Sequence, residues 1–496
     1  MNPDSQQTTP PQPGAWRGPM LFVVAGVATL GLGLLAASIM ERRVETKIAL
    51  QPKTIGQPVV DSANWKDAYP RQYGSYAATE ESTSHTKWGG SYPRDLLAED
   101  PNNVILFAGY AFAVDYKQGR GHVHAITDPV ETKRTQIKEQ PATCWTCKSP
   151  DVPRLMQELG SPAAFYAYQD KEGSKGGFND LKEEVTHPIG CADCHDPVTN
   201  GLVITRPALK EGFAAMGKDI SKASHQEMRS LVCAQCHVEY YFQPEPKNYL
   251  KFPWDKGTNV EDMDAYYDSV GFTDWKHAIS KAPMIKMQHP DYEVFTKGIH
   301  AANNVSCADC HMPYKTEGGA KFSDHHVRSP LLNIQNSCAV CHRSSEAEIR
   351  TRVENIQDKI AEGRKHAEAA LAKAHFDVAA CMQAGASDEE LKAIRTTVRK
   401  AQLRWDYVAA NNGMGFHAPQ ECQRVLAMAN DLAQEARVSA TRLLATKGHL
   451  NPVIYPDIST KEAATKVLKA FKDSKDRPDL LGTGKAWPEA AAAPAK

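Results

Sequence analysis

Ten of the twelve cysteines fall into five C-x-x-C pairs: Cys144/Cys147, Cys191/Cys194, Cys233/Cys236, Cys307/Cys310 and Cys338/Cys341. The last four pairs are followed directly by His195, His237, His311 and His342, and the first by Lys148. C-x-x-C-H is the spacing of covalent haem attachment: the thiols form thioethers with the vinyl groups, and the histidine on the same turn ligates iron. A zinc site would group four ligands without an obligatory following histidine. A dithiol redox motif would occur once, in a thioredoxin-like context. Four repeats therefore predict haem c, and the fifth pair brings the expected count to five haems at irregular separations. The amine of Lys148 ligates iron only when neutral, a form that coordination itself stabilises against the proton. A haem whose proximal ligand differs from the other four is the candidate for substrate chemistry, whereas haems closed by two histidines pass electrons.

Such haems need a second axial ligand, and the 18 histidines include enough for four. Local context singles out His122 in "GRGH", His300 seven residues before Cys307, the pair His325 and His326 in "SDHHV", and His417 in "GFHAPQE". His366 and His375 read instead as surface or satisfied side chains. Cys381 and Cys422 read as buried small apolar residues, although an exported location permits a disulfide.

These residues need a scaffold of 496 residues, 42% hydrophobic, with 58 basic against 59 acidic side chains. The balance gives no reason to expect a nucleic-acid-binding surface, so partners must be argued from sites. Behind a tail at 1–17, Gly18 to Met40 carries no charge and is long enough to span a bilayer. The segment 18–43 predicts an export signal or anchor, and hence a periplasmic protein attached to the cytoplasmic membrane by this segment or by its redox partner. Residues 44–343 are rich in Pro, Gly and Asn, with few long apolar periodicities, so the haems are expected to supply the core of this catalytic region. From 344 to 446 the pattern turns helical: Ile349, Val353, Ile356 and Ile360 share one helix face, and further helices are predicted over 388–410 and 421–446. Residues 447–496, ending in "AWPEAAAAPAK", read as a C-terminal tail. The fold class is mainly α: a multihaem cytochrome c fold with a loop-rich haem-packed domain followed by long helices.

"CWTCK" followed by four C-x-x-C-H motifs, with "VEYYF" after the third pair and "KMQHP" before the fourth, resembles the ammonia-forming pentahaem cytochrome c nitrite reductases over roughly residues 70–446. The resemblance implies a catalytic Arg134 in "ETKRT", a catalytic Tyr240 and a catalytic His289 beside the Lys148 haem. It implies one Ca²⁺ held by Glu239, the main-chain carbonyls of Tyr240 and Lys286, and the side chain of Gln288, an all-oxygen set suited to a hard cation. It assigns His325 to the second haem, with His326 as neighbouring alternative, His122 to the third, His417 to the fourth and His300 to the fifth. It also implies a homodimer through the long helices, nitrite as substrate, and a membrane quinol-oxidising multihaem cytochrome c as electron donor. The chemistry agrees. Arg134 stays charged and can hydrogen-bond nitrite oxygens, His289 can deliver protons near neutral pH, and Tyr240 can supply a proton or hydrogen atom to later intermediates.

Overall fold

The computed structural model describes residues 17–49, 53–137, 139–169, 177–484 and 487, without the side chains of residue 17 and residues 42–49. Most of the tail expected over 1–17 and most of the "AWPEAAAAPAK" end lie outside this set. The chain is mainly helical, as its sequence predicts; among the described residues the sheet structure amounts to three two-stranded antiparallel hairpins. Each hairpin delivers a residue of interest. Tyr241–Gln243 pairs with Tyr249–Lys251 directly after Tyr240, Trp275–Lys276 pairs with Pro283–Met284 just before Lys286, and Tyr314–Glu317 pairs with Ala320–Ser323 just before His325.

At the N-terminus a helix runs from Arg17 to Ala49, and its stretch Gly18–Glu41, of mean hydropathy 2.3, is wholly unburied. It is long and apolar enough to cross a membrane.

Three long helices, Glu346–Gln383, Asp388–Ala409 and Pro419–Thr446, pack on one another. The first two open with capping boxes in which Ser345 and Ser387 exchange hydrogen bonds with Glu348 and Glu390, satisfying amides that the first turn would otherwise leave open. The stripe on the first helix packs within the chain. Ile349 and Val353 pack on Leu331 and Ile334 beside Cys338, and together with Ile356 they wall the cavity described below.

Two sequence expectations are corrected. The region 44–343 does contribute apolar side chains to a core. Leu97, Phe107, Trp145, Phe165, Trp254, Tyr267 and Met287 are buried and continuous with the alanine-rich inner faces of the long helices. The pattern is hidden in sequence because these residues come from short turns and loops, each too short to show a period. The segment 447–496 is also more than a tail. Lys461–Asp473 is a helix that buries Ala464, Leu468 and Phe471 against that core, with the Trp487 ring set edge-on to Phe471. Cys381 and Cys422 are buried free thiols.

Candidate active site

Each cysteine pair is set on a turn that the surrounding sequence fixes. In both C-A-D-C motifs the aspartate locks the turn: Asp193 accepts the Gly190 amide at 2.8 Å, and Asp309 accepts the Ser306 amide at 2.7 Å. Asp193 is in turn paired with buried Arg206, and Asp309 with Arg229 at 2.6 Å. The third pair lies at the end of the helix His225–Ala234, which Ser224 and Glu227 cap. The first sits in the tight turn Ala142–Trp145, anchored by Trp145 stacked on Phe178 at 4.2 Å with its indole N–H bonded to the Phe178 carbonyl.

All ten motif cysteines, Lys148 and the four following histidines line one continuous cavity of about 2440 Å³. His122, His300, His325 and His417 line it too; His326 does not. The ring centres of His195 and His325 lie 6.3 Å apart, those of His311 and His417 6.2 Å, and those of His342 and His300 6.3 Å. An iron bonded to two imidazole nitrogens at about 2.0 Å, with about 1.1 Å more from nitrogen to ring centre, requires a separation of about 6.2 Å. Spacing alone does not identify a pair, since His237 and His289 are 6.4 Å apart. The Nδ1 bonds add the second criterion. His195 bonds the Asn200 carbonyl (3.0 Å), His311 the Arg328 carbonyl (3.0 Å), His325 the Ser323 carbonyl (2.8 Å) and His237 the Asp291 carboxylate (3.0 Å), which leaves each Nε2 free for a metal. Burial holds His122, His311 and His325 down at about 4, so they are neutral, the form that binds iron. His122 is close enough to His237 to feel its charge. Its approach depends on Gly121, where any Cβ would collide with the Thr79 carbonyl. The residues present therefore fit haem c.

The thiols also show how the five sites are joined. Cys147 lies close enough to Cys236, and Cys233 to Cys307, for each to shift the other's titration. Cys194 lies within electrostatic range of Cys236, as Cys310 does of Cys338. The first, third, fourth and fifth sites thus form a line, and the second branches from the third.

Arg134, Tyr240 and His289 come together at the lysine-bearing end of this line, and all three line the cavity. Arg134 and Lys148 both act on Cys144, Tyr240 acts on Arg134, and Lys148 acts on His289. Arg134 lies on the turn Lys133–Gln136, whose start is pinned where Asp115 accepts the Thr132 hydroxyl (2.8 Å) and the Lys133 amide (2.9 Å). Its guanidinium lies 4.2 Å over the Phe112 ring. Burial, followed by the thiols of Cys147 and Cys144, pushes the Tyr240 hydroxyl well above its usual range, so it stays protonated. His289 departs from the sequence expectation. Burial takes it down to about 3, with Asp291 opposing and Lys148, His237 and Lys286 reinforcing. In the substrate-free chain it is a neutral imidazole, and an anion bound beside it would raise it again.

Glu239 is fully buried and is raised well above the carboxylate range by burial, despite bonds from the Gln288 amide and the Tyr267 hydroxyl (2.8 Å). The Gln288 side-chain amide lies 3.2 Å from the Lys286 carbonyl. A buried carboxylate bonded to the segment that carries the Lys286 carbonyl and the Gln288 side chain offers oxygen donors of the kind a hard cation takes, and a cation there would offset the cost of burying that charge.

Residues 61–485 match the family model for cytochrome c552. The chain belongs to the cytochrome c552 family. Within that family, the cytochrome c-552 of Parabacteroides distasonis is 48% identical over 462 residues, covering 92% of each chain. That of Bacteroides fragilis is 47% identical over 479 residues, covering 95% of each. Among solved structures, the cytochrome c nitrite reductase catalytic subunit of Desulfovibrio desulfuricans, described with two calcium sites, superposes with a TM-score of 0.72 at 36% identity, over 77% of this chain and 86% of that one. The fold is accordingly the multihaem cytochrome c fold of that enzyme.

Sequence reasoning missed Asp291, which bonds the His237 ring and accepts from Asn411 and Asn412 (2.7–2.8 Å). It also missed the buried Lys286–Asp406 pair. Asp291 stands two residues after His289, but nothing in "HPDYE" marks a carboxylate that orients a ring fifty-four positions away.

Proposed function

We propose that this chain is a nitrite reductase: an oxidoreductase with five covalent haem c groups and one Ca²⁺ that reduces nitrite to ammonia. Family membership and the 36%-identical nitrite reductase structure support nitrite as substrate. The single observation that carries the finer reading is the convergence of Arg134, Tyr240 and His289 on the one cysteine pair followed by lysine. A pure electron carrier would require none of the three.

Cys144, Cys147 and Lys148 would hold the haem that, when bound, would supply iron for nitrite and the electrons. His195 with His325, His237 with His122, His311 with His417, and His342 with His300 would hold the other four, and the proximity of the thiols supports an order of transfer into the site. Arg134 binds the substrate oxygens with N–H groups fixed by the Thr132 turn and the Phe112 ring, so little reorganisation accompanies anion binding. His289 takes up a proton when the anion arrives and passes it to a departing oxygen. Tyr240, protonated throughout, donates to later intermediates. Glu239, the carbonyls of Tyr240 and Lys286, and Gln288 would hold the cation, which would tie the Tyr240 and His289 segments together. The chain works as a homodimer in the periplasm, held at the membrane by the apolar helix or by its partner, a membrane quinol-oxidising multihaem cytochrome c.

The test is ammonia yield from nitrite with a reduced viologen donor, comparing the native chain with His289→Asn. Near-stoichiometric ammonia from the native protein and at least tenfold less from the variant are expected. A native chain loaded with five haems that makes no ammonia refutes the reading.

A further inference from the structure

We propose that Asp406, on the second long helix, is a positioning residue that aims the Lys286 carbonyl and fixes the approach of His289. The inference rests on reading 286–289 as the calcium and proton-donor segment. Asp406 is fully buried. Its Oδ2 accepts the Met287 amide at 2.9 Å, and its Oδ1 accepts the Lys286 ammonium at 2.9 Å. That ammonium also donates to the Met287 carbonyl, and it lies 5.1–5.9 Å from the ring centres of Phe112, Phe107 and Tyr116. One ion pair therefore grips both polar groups of Met287.

Peptide planarity does the rest. The Lys286–Met287 bond is trans, so its N–H and C=O point in opposite directions. By capturing the Met287 N–H, Asp406 turns the Lys286 carbonyl away from the helix and toward the side chain of Gln288, 3.2 Å off, the other donor of this segment in the calcium reading. The same helix end holds the other flank of His289. Asn411 and Asn412 bond Asp291, two residues beyond it, just as Asp406 bonds Met287, two residues before it. His289 is thus suspended between two carboxylates, one on the helix and one held by residues just past its end. The Lys286 ammonium neutralises Asp406, so the clamp adds no net negative charge beside an anion site.

The experiment separates aiming from mere stability. A buried ion pair replaced by apolar residues of similar size usually folds as well or better. Lys286→Met/Asp406→Leu keeps the Lys286-position carbonyl but has no acceptor for the Met287 amide, whereas Lys286→Met/Asp406→Asn keeps one. Calcium affinity is measured by titrating EGTA-stripped holoprotein, alongside haem content and the nitrite KM and kcat. Residues that orient metal ligands are worth about 10- to 100-fold in metal affinity. The Leu variant should therefore bind Ca²⁺ at least tenfold more weakly, with raised KM at normal haem loading, and the Asn variant should recover to within threefold of native. Equal calcium affinity in native and Leu variants overturns the proposal alone, while a native chain that binds no Ca²⁺ overturns the calcium reading with it. If the Leu variant does not assemble, Lys286→Met/Asp406→Ala, which also offers the Met287 amide no acceptor, decides in its place: native calcium affinity there overturns the proposal.

Discussion

Arg134 carries the anion in this account, and its surroundings set what its loss should cost. Of its five N–H groups, Nε is directed at the Thr132 hydroxyl at 3.3 Å. The four on the terminal nitrogens remain for a ligand in the cavity that Arg134 lines. A hydrogen bond to a charged group contributes about 1.5–3 kcal/mol. Losing two such bonds in Arg134→Gln should cost about 3–6 kcal/mol, a fall in kcat/KM of at least about 100-fold. Arg134→Lys keeps the charge but loses the planar fork and its stacking on Phe112, and should fall by about 10- to 30-fold. The turn is held by Asp115 through Thr132 and Lys133, not by the guanidinium, so both variants should load haem normally. The assay is anaerobic nitrite reduction with reduced viologen, normalised to haem content. Arg134→Gln with kcat/KM within threefold of native would refute the assignment.

Three further outcomes follow. His277 and His375 are fully buried, stacked at 3.7 Å, and bonded to the Ile105 carbonyl, Ser280 and Gln402 in a pattern that keeps both neutral. Burial lowers His375 from 6.5 to about 4, so the unfolded chain takes up its proton first. Stability is full above about pH 6.5 and falls by about 3 kcal/mol toward pH 4; chemical denaturation of native and His375→Gln chains across that window should show the native chain losing more, and parallel curves would contradict it. At Gly298 any Cβ would run into the His417 carbonyl, so Gly298→Ala should displace His417 and destabilise by about 1–3 kcal/mol; optical spectra of the oxidised protein should then gain a high-spin component, and an unchanged spectrum would count against His417 as a ligand. Removing calcium with EGTA should raise the nitrite KM at constant haem content, with recovery on adding Ca²⁺, and an EGTA-insensitive KM would argue against the cation site.

The haem-binding frame was legible because covalent attachment imposes a local spacing: Cys191, Cys194 and His195 must share a turn, and no folding is needed to see it. The long helices were legible from their 3.6 period, with the middle one starting at Asp388 as read and ending one residue early, at Ala409. What stayed hidden depends on contacts between distant residues. His325 and His326 are adjacent, and folding decides that it is the His325 ring that lines the cavity and lies near His195. The core side chains contributed by 44–343 come from turns such as Val104–Ala108 and Ala142–Trp145, which show no period. The Lys286–Asp406 clamp joins residues 120 positions apart through an ion pair that composition treats as solvated charge.

The most direct test of the central claim, one substrate-binding haem fed by four closed ones, is electronic and paramagnetic spectroscopy of the oxidised protein titrated with nitrite and with cyanide. The account predicts four low-spin haems that neither ligand perturbs and a fifth, high-spin in the resting protein, that both ligands shift. Five low-spin haems, none responding to either ligand, would contradict it.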